Sequence, residues 1–242
     1  MNGSLNKSYS NPIIIDEERL QYLSGIITEK FKGIYYKIET IDGASYKLNS
    51  LEEVLSYSNP QPRKIIKISI IGNKEKDAIK IYPDITVSLF DMSKYDKSCI
   101  LSVNNIEEQE ITFITQRIDE FVKGVRVSYW WLHSKAVYWI VGFLLYALAA
   151  VLYYCNNGKE QLMNSMNNTL FWYGVSFICF FFSGFVVKKC IEFLFPEGGF
   201  ALGEQVKYMN KRSKIRHIIL GSILGSLILG IMSGIIVHII TK

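Results

Sequence analysis

The sequence predicts an α+β domain, with a mostly antiparallel sheet and helices on one face, followed by a three-helix transmembrane region. The strongest observation is an uneven charge distribution. Residues 1–135 hold 18 Lys and Arg against 18 Asp and Glu, whereas residues 136–242 hold 9 against 4, so the whole net charge of +5 lies in the apolar part. Such an excess is typical of contact with a membrane surface rather than with nucleic acid.

The first half supports the domain prediction through short runs rich in Ile and Val, joined by short connections that favour antiparallel pairing. We expect residues 1–12 to be disordered, residues 13–128 to form the domain, and residues 129–242 to form the membrane region. The predicted elements are a helix at 13–32, a hairpin around Asp42-Gly43, a short helix capped by Ser50 with a capping box to Glu53, strands at 64–71, 78–82, 85–90 and 98–103, and a helix at 107–123.

Three apolar runs predict the membrane spans, at residues 136–155, 170–187 (extending toward 195) and 218–240. The first run is twenty residues without a charge, which corresponds to about 30 Å of helix and matches the hydrocarbon thickness of a bilayer. The loop 156–169 holds one Lys and one Glu, whereas residues 188–217 hold seven basic residues against three Glu. Because basic loops stay cytoplasmic, we expect a multi-pass inner (plasma) membrane protein with a cytoplasmic N-terminal domain and the C-terminus outside.

Aromatic and basic residues beside the spans predict contacts with the lipid interface. In the stretch FPEGGFALGEQ, residues 195–205, Pro196 ends the second span and the glycines permit a tight return, so that two Phe rings are expected to dip into the interface. The stretch resembles a turn that follows a transmembrane helix in uncharacterised bacterial membrane proteins, a resemblance that implies no activity. The predicted interface residues are Trp130, Trp131, Lys188, Lys189, Phe195, Phe200, Lys207, Lys211, Arg212, Lys214 and Arg216.

Small residues recur along the third predicted span. They are Gly221, Ser222, Gly225, Ser226, Gly230 and Gly234. Helices in lipid associate where small residues allow close backbone approach, so this ridge predicts a groove for another helix. The partner is either the first span of the same chain or the third span of a second copy, and the serines are expected to donate to carbonyls of their own helix.

The sequence lacks the common catalytic, nucleotide-binding and metal-binding motifs. It has no P-loop, no Gly-x-Ser-x-Gly and no His-Glu-x-x-His, and its three His and four Cys have no metal-ligand spacing. We therefore expect no catalytic, cofactor-binding or metal-binding residues, no cofactor and no enzymatic activity.

The sequence favours a membrane protein whose cytosolic domain senses a ligand or partner and is coupled to the spans. This layout is similar to that of bacterial membrane effectors that compromise the inner membrane during phage infection, which implies a membrane-perturbing, anti-phage effector. A membrane-anchored scaffold is the alternative, and an intramembrane or lipid-modifying enzyme is a third reading. The expected partners are the lipid bilayer, a second copy through the third span, and a cytosolic protein or small ligand of the domain, with no nucleic acid.

Overall fold

The computed structural model describes residues 2–75, 83–133, 136–144, 147, 185–196 and 198–240, with the backbone alone described at 130, 133, 223, 224 and 227–240. Residue contacts divide the chain into two units, one of Met1–Arg126 with Gly198–Lys242 and one of Val127–Glu197. In chain order the elements are β1 (Asn2–Tyr9), β2 (Ile14–Asp16), α1 (Glu17–Thr28), β3 (Gly33–Thr40), β4 (Ser45–Leu48), α2 (Leu51–Ser56), β5 (Ile65–Asn73), β6 (Ile85–Phe90), β7 (Cys99–Glu107), α3 (Glu108–Val125), β8 (Gly199–Ala201) and α4 (Gln205–Ile240).

The first unit is built on an antiparallel six-stranded sheet with the order β1-β7-β6-β5-β3-β4. Its hairpin β3–β4 turns at Asp42-Gly43, where Gly43 has a φ of +85° that a side chain would disfavour. Strands β2 and β8 form a separate two-stranded sheet. The predicted α+β fold with a mostly antiparallel sheet is confirmed, and the three-helix transmembrane region stays a prediction.

Alternate residues of the strands form the core. In one row across the sheet, Ile38 lies opposite Ile68, Ile68 opposite Leu89, and Leu89 opposite Cys99. All four side chains are 0% exposed and belong to the same cluster as the buried residues of α1, α2 and α3. Because strand side chains alternate between the two faces, this face packs against the helices.

Side chains cap the first turns of α1 and α2. Ser50 Oγ accepts a hydrogen bond from the Glu53 backbone N–H, which confirms the predicted Ser50 cap of α2. The Glu53 carboxylate accepts in turn from the backbone N–H of Asn49, one residue before the cap. Asp16 caps α1 by accepting from the N–H of Arg19 at 2.9 Å. The helix predicted at 13–32 is therefore shorter, because Ile14–Asp16 is extended and pairs with β8.

The N-terminal segment corrects the sequence prediction. Residues 1–12 were expected to be disordered, yet Asn2–Tyr9 forms β1 and pairs with β7 along one edge of the sheet. The segment is polar because it is an edge strand, with exposed side chains alternating with half-buried ones. The prediction of disorder is wrong for these residues.

A charged cluster holds β1 against α3. The carboxylate of Asp119 accepts hydrogen bonds from Lys7 Nζ at 2.7 and 2.8 Å and from the Tyr9 hydroxyl. Burial alone would raise the pKa of Asp119, but the hydrogen bonds from Lys7 and Tyr9 outweigh it and hold this pKa below its ordinary value. The cluster therefore stabilises the folded state while Asp119 is ionised.

Several predicted elements fall on residues that the structure leaves out. The predicted strand at 78–82 lies outside the described residues, as do 145–146, 148–155 and 170–184 of the first two predicted spans and the side chains at 227–240 of the third. Among the residues whose side chains the structure describes, no helix combines the length and the apolarity that crossing a membrane requires.

Replacing Asp119 with Asn tests the β1–α3 cluster. We expect Asp119→Asn to lower the free energy of unfolding at pH 7 by roughly 1–2 kcal/mol, since Lys7 loses its counter-charge. Because the folded-state pKa is depressed, the wild-type advantage is present above the unfolded pKa of about 4 and disappears as the pH falls through the folded value. Denaturation followed by circular dichroism between pH 7 and pH 2 measures this, and an advantage that persists at the lowest pH would contradict it.

Candidate functional site

The most unusual feature of the first unit is that residues 198–205 return to it from a point far along the chain. These residues, which we call the docking segment, follow Val127–Glu197, the whole of the second unit. They contain β8 and end at Gln205, the first residue of α4. The docking segment therefore connects the sheet domain directly to α4, the longest helix among the described residues.

Main-chain hydrogen bonding attaches the docking segment to β2. Ile14, Ile15 and Asp16 lie opposite Gly199, Phe200 and Ala201 in parallel register, and the Gly199 N–H donates to the carbonyl of Ile13 at 3.0 Å. Each strand runs into a helix, β2 into α1 and β8 toward α4. Because the strands are parallel, both helices start from the same end of this small sheet.

Apolar burial adds to the pairing. Phe200 is 1% exposed and Leu202 is 3% exposed, and both belong to the core cluster together with Ile13 and Ile15. Burying a large apolar side chain contributes about 1.5–3 kcal/mol. The predicted interface role of Phe200 is therefore wrong, because this ring lies in the protein core.

A network of hydrogen bonds centred on Asn59 binds the end of the docking segment. The Asn59 side chain is 0% exposed, accepts from the Ile65 N–H at 2.8 Å and donates to the Leu202 carbonyl at 3.2 Å. Gln205, 4% exposed, donates to the Asn59 carbonyl at 3.1 Å and to the side chain of Gln61 at 2.9 Å. The hydrogen bonds from Asn59 to Leu202 and from Gln205 to Asn59 and Gln61 exist only while the docking segment is in place.

Two glycines allow the close approach. Gly203 has a φ of +54°, and a Cβ atom there would lie 2.3 Å from the carbonyl oxygen of Ser58. Gly198 has a φ of +146°, and its Cβ would lie 2.7 Å from the carbonyl oxygen of Ile13. Asn59 also has a positive φ, +48°. Glycine adopts such φ angles without strain, so both glycines suit a close backbone contact that a Cβ atom would prevent.

An ion pair borders the first residue of β8. Asp91 is 0% exposed, forms an ion pair with Lys64, and accepts a hydrogen bond from the Ser93 N–H at 3.0 Å. A Cβ at Gly199 would lie 3.7 Å from the Asp91 carboxylate carbon. The pair satisfies a buried charge at the place where the docking segment enters.

The helix α4 carries most of the other predicted site residues. All six residues of the predicted helix-packing ridge lie within α4. As expected, Ser222 and Ser226 donate to carbonyls of their own helix, those of Ile218 and Ser222, at 2.9 and 2.8 Å. A Cβ at Gly221 or Gly225 would meet no described atom within 4 Å. The surroundings of Gly230 and Gly234 lie outside the described side chains.

The predicted basic interface residues of α4 are Lys207, Lys211, Arg212, Lys214 and Arg216, and each is exposed or half-buried. In the second unit, Lys188 and Lys189 are exposed near Glu192, and Trp131 is 53% exposed. Phe195 is half-buried edge-on against Tyr129, and the side chain of Trp130 is outside the description. The docking contacts thus include one predicted site residue, Phe200.

The docking site offers hydrogen bonds and apolar surface rather than reactive groups. Among the residues that the structure covers, no three His, Cys, Asp or Glu side chains gather where a metal ion would sit. The one buried thiol described, Cys99, has a pKa raised to about 12 by burial. No family model matches the chain, and neither a curated protein nor a solved structure matches it.

The sequence carried one signal for this site. Phe200 and Leu202 alternate with Ala201 between two glycines, which is the period of a short strand. The basic residues that follow suggested a membrane surface instead. The partners Asn59 and Gln61 occur in a stretch that indicates only a turn.

Gly203 tests whether the close approach to Ser58 matters. We expect Gly203→Ala to destabilise the docked segment by roughly 3 kcal/mol or more, because strained backbone and steric overlap add. The matched control is Gly43→Ala, which has the same kind of positive φ but open space around its Cβ, and should cost about 1 kcal/mol. Hydrogen exchange at residues 198–205 in the full chain measures the difference, and equal effects of the two variants would refute a tight contact.

A double-mutant cycle tests the polar network. We expect Asn59→Ala to cost roughly 2–3 kcal/mol and Gln205→Ala roughly 1–2 kcal/mol, because each leaves buried groups unsatisfied. The double variant should cost less than the sum, since both act on one contact. Asn105→Ala is the control for positive φ, because Asn105 has a φ of +55° on the surface. If denaturation curves show that the free-energy cost of the double variant equals the sum of the two single costs, Asn59 and Gln205 do not act on one contact.

Proposed function

We propose that this chain is a bacterial inner-membrane protein whose cytosolic α+β domain is coupled to transmembrane helices and acts as a non-enzymatic membrane effector. The observation that carries the proposal is the burial of the docking segment, which attaches α4 to the core of the domain. A scaffold needs only a tether, whereas an effector needs a connection that transmits a movement.

The connection is short and stiff. Gln205 is both a buried member of the Asn59 network and the first residue of α4. The helix then continues for 36 residues, about 54 Å, without a break in its backbone. A movement of the docking segment therefore displaces the whole helix, whereas a flexible linker would absorb it.

The far part of α4 supports its placement in lipid. Residues 218–240 contain no Asp, Glu, Lys or Arg, and as a helix they would be about 35 Å long, enough to cross the hydrocarbon region with some tilt. Beyond Gln205, every described side chain of α4 as far as Ser226 is half-buried or exposed. Ile218, at 68% exposure, is an apolar side chain that a bilayer would cover.

Two states of the docking site give the proposed coupling its mechanism. β8 pairs with β2 over three residues only, so the docked state depends on the Phe200 and Leu202 contacts and the Asn59 network together. A cytosolic ligand or partner that binds the docked and undocked domain with different affinity shifts this equilibrium. The spans then repack through the small-residue groove of α4.

The test is inducible expression in bacteria while membrane potential and viability are followed. We expect the wild type to depolarise the membrane, Gly225→Leu to abolish this by blocking close helix approach, and Gly203→Ala to change the response by uncoupling the domain. Gly43→Ala serves as the control and should behave as the wild type.

Two outcomes would oppose the proposal. Harmless expression at high level with all four proteins indistinguishable would favour a scaffold. A reporter fused after Lys242 that faces the cytosol would contradict the arrangement of three spans.

A further inference from the structure

A line of lysines runs along the first turns of α4. Lys207, Lys211 and Lys214 have the spacing i, i+4 and i+7, which places them on one face of the helix, and all three are exposed. We call them the lysine stripe. Ile218, four residues further on, continues the same face with an apolar side chain.

The stripe is not balanced by carboxylates of its own helix. Residues 205–240 contain five Lys and Arg at 207–216 and no Asp or Glu, and the nearest acidic residue in sequence is Glu204, just before the helix. Among the described residues, none of the three lysines forms an ion pair. Several lysines of the domain differ, since Lys7, Lys64 and Lys74 each face a carboxylate of the fold.

The distance of each lysine from the apolar part of α4 follows from the helical rise. Lys214, Lys211 and Lys207 lie about 6, 10 and 16 Å along α4 from Ile218, where the apolar stretch begins. Lipid headgroups extend several ångströms beyond the hydrocarbon. On the proposed membrane placement, Lys214 therefore lies at headgroup depth, and Lys211 and Lys207 lie on its water side with flexible side chains that can extend toward the headgroups.

From this position and charge we infer that the lysine stripe binds the phosphate groups of anionic phospholipids in the cytoplasmic leaflet. The inference rests on the proposed membrane placement of α4 and adds its ligand class. The lipid is favoured over an acidic protein because the lysine stripe is followed on the same helix face by exposed apolar residues. A phospholipid has the same order of groups, a charged headgroup followed by apolar acyl chains. Bound headgroups would hold the docking segment at a fixed distance above the bilayer.

The test uses the full chain reconstituted in vesicles of phosphatidylcholine and phosphatidylglycerol, then extracted in mild detergent. The ratio of the two lipids that remain bound to the protein is measured. We expect the wild type to retain phosphatidylglycerol preferentially. The triple variant Lys207→Gln, Lys211→Gln and Lys214→Gln should show a weaker preference, with each lost charge lowering the lipid ratio roughly fivefold. High salt should weaken the wild-type preference.

Two matched variants make the result specific. The triple replacement by Arg should keep the preference, and a control triple at exposed lysines of the domain, Lys32→Gln, Lys94→Gln and Lys97→Gln, should leave it unchanged. Circular dichroism confirms that each variant is folded. Equal retention of the two lipids by the wild type, or an equal loss in the control triple, would overturn the inference.

Alkaline extraction of the same membranes separates this inference from the proposed function. A protein that stays in the membrane but shows no lipid preference refutes the lysine stripe alone. A protein released by alkali refutes the membrane placement as well. An acidic cytosolic protein that binds the wild type and not the stripe variant, with no lipid preference in either, would assign the stripe to a protein partner instead.

Discussion

The insertion of Phe200 and Leu202 into a core that is otherwise complete by Val125 is the contact on which the architecture depends. It forces the chain to leave the domain after Arg126 and to return to it at Gly198. The domain is therefore assembled from two stretches of sequence, and the second of these is also the start of α4. Without the contact, α4 would be joined to the domain only through the whole of the second unit.

No single interaction is sufficient to hold the docking segment. A three-residue parallel pairing offers few hydrogen bonds, and the apolar contribution of two side chains is offset in part by the entropy of ordering eight residues. The Asn59 network adds specificity, because its buried donors and acceptors fit only one register of the segment. Gly198 and Gly203 contribute by allowing the backbone to approach where a Cβ would collide. The proposed coupling requires such a balance, because the docking segment has to leave the domain as well as bind it.

Local patterns in the sequence predicted the sheet domain well. The Asp42-Gly43 hairpin and the Ser50 cap depend on residues close together in the chain, and both were found where expected. β1 was missed because an edge strand needs no apolar periodicity, and its stabilising contact with Asp119 spans more than a hundred residues. The docking site was missed for the same reason, because Asn59 and Leu202 are adjacent only in three dimensions. Phe200 was misplaced because an aromatic residue near basic residues has the same composition at a lipid interface and in a core.

The order of the two stretches along the chain has a consequence for biosynthesis. The ribosome completes the six-stranded sheet long before it reaches β8, so β2 leaves the exit tunnel without its pairing partner, and the space for Phe200 stays open while residues 127–197 are made. If those residues enter the bilayer as they emerge, the domain reaches its final packing only after membrane insertion. The core of the domain would then be complete only in chains that have inserted correctly. A truncated or misinserted product would keep an unfilled core, which quality-control proteases could recognise.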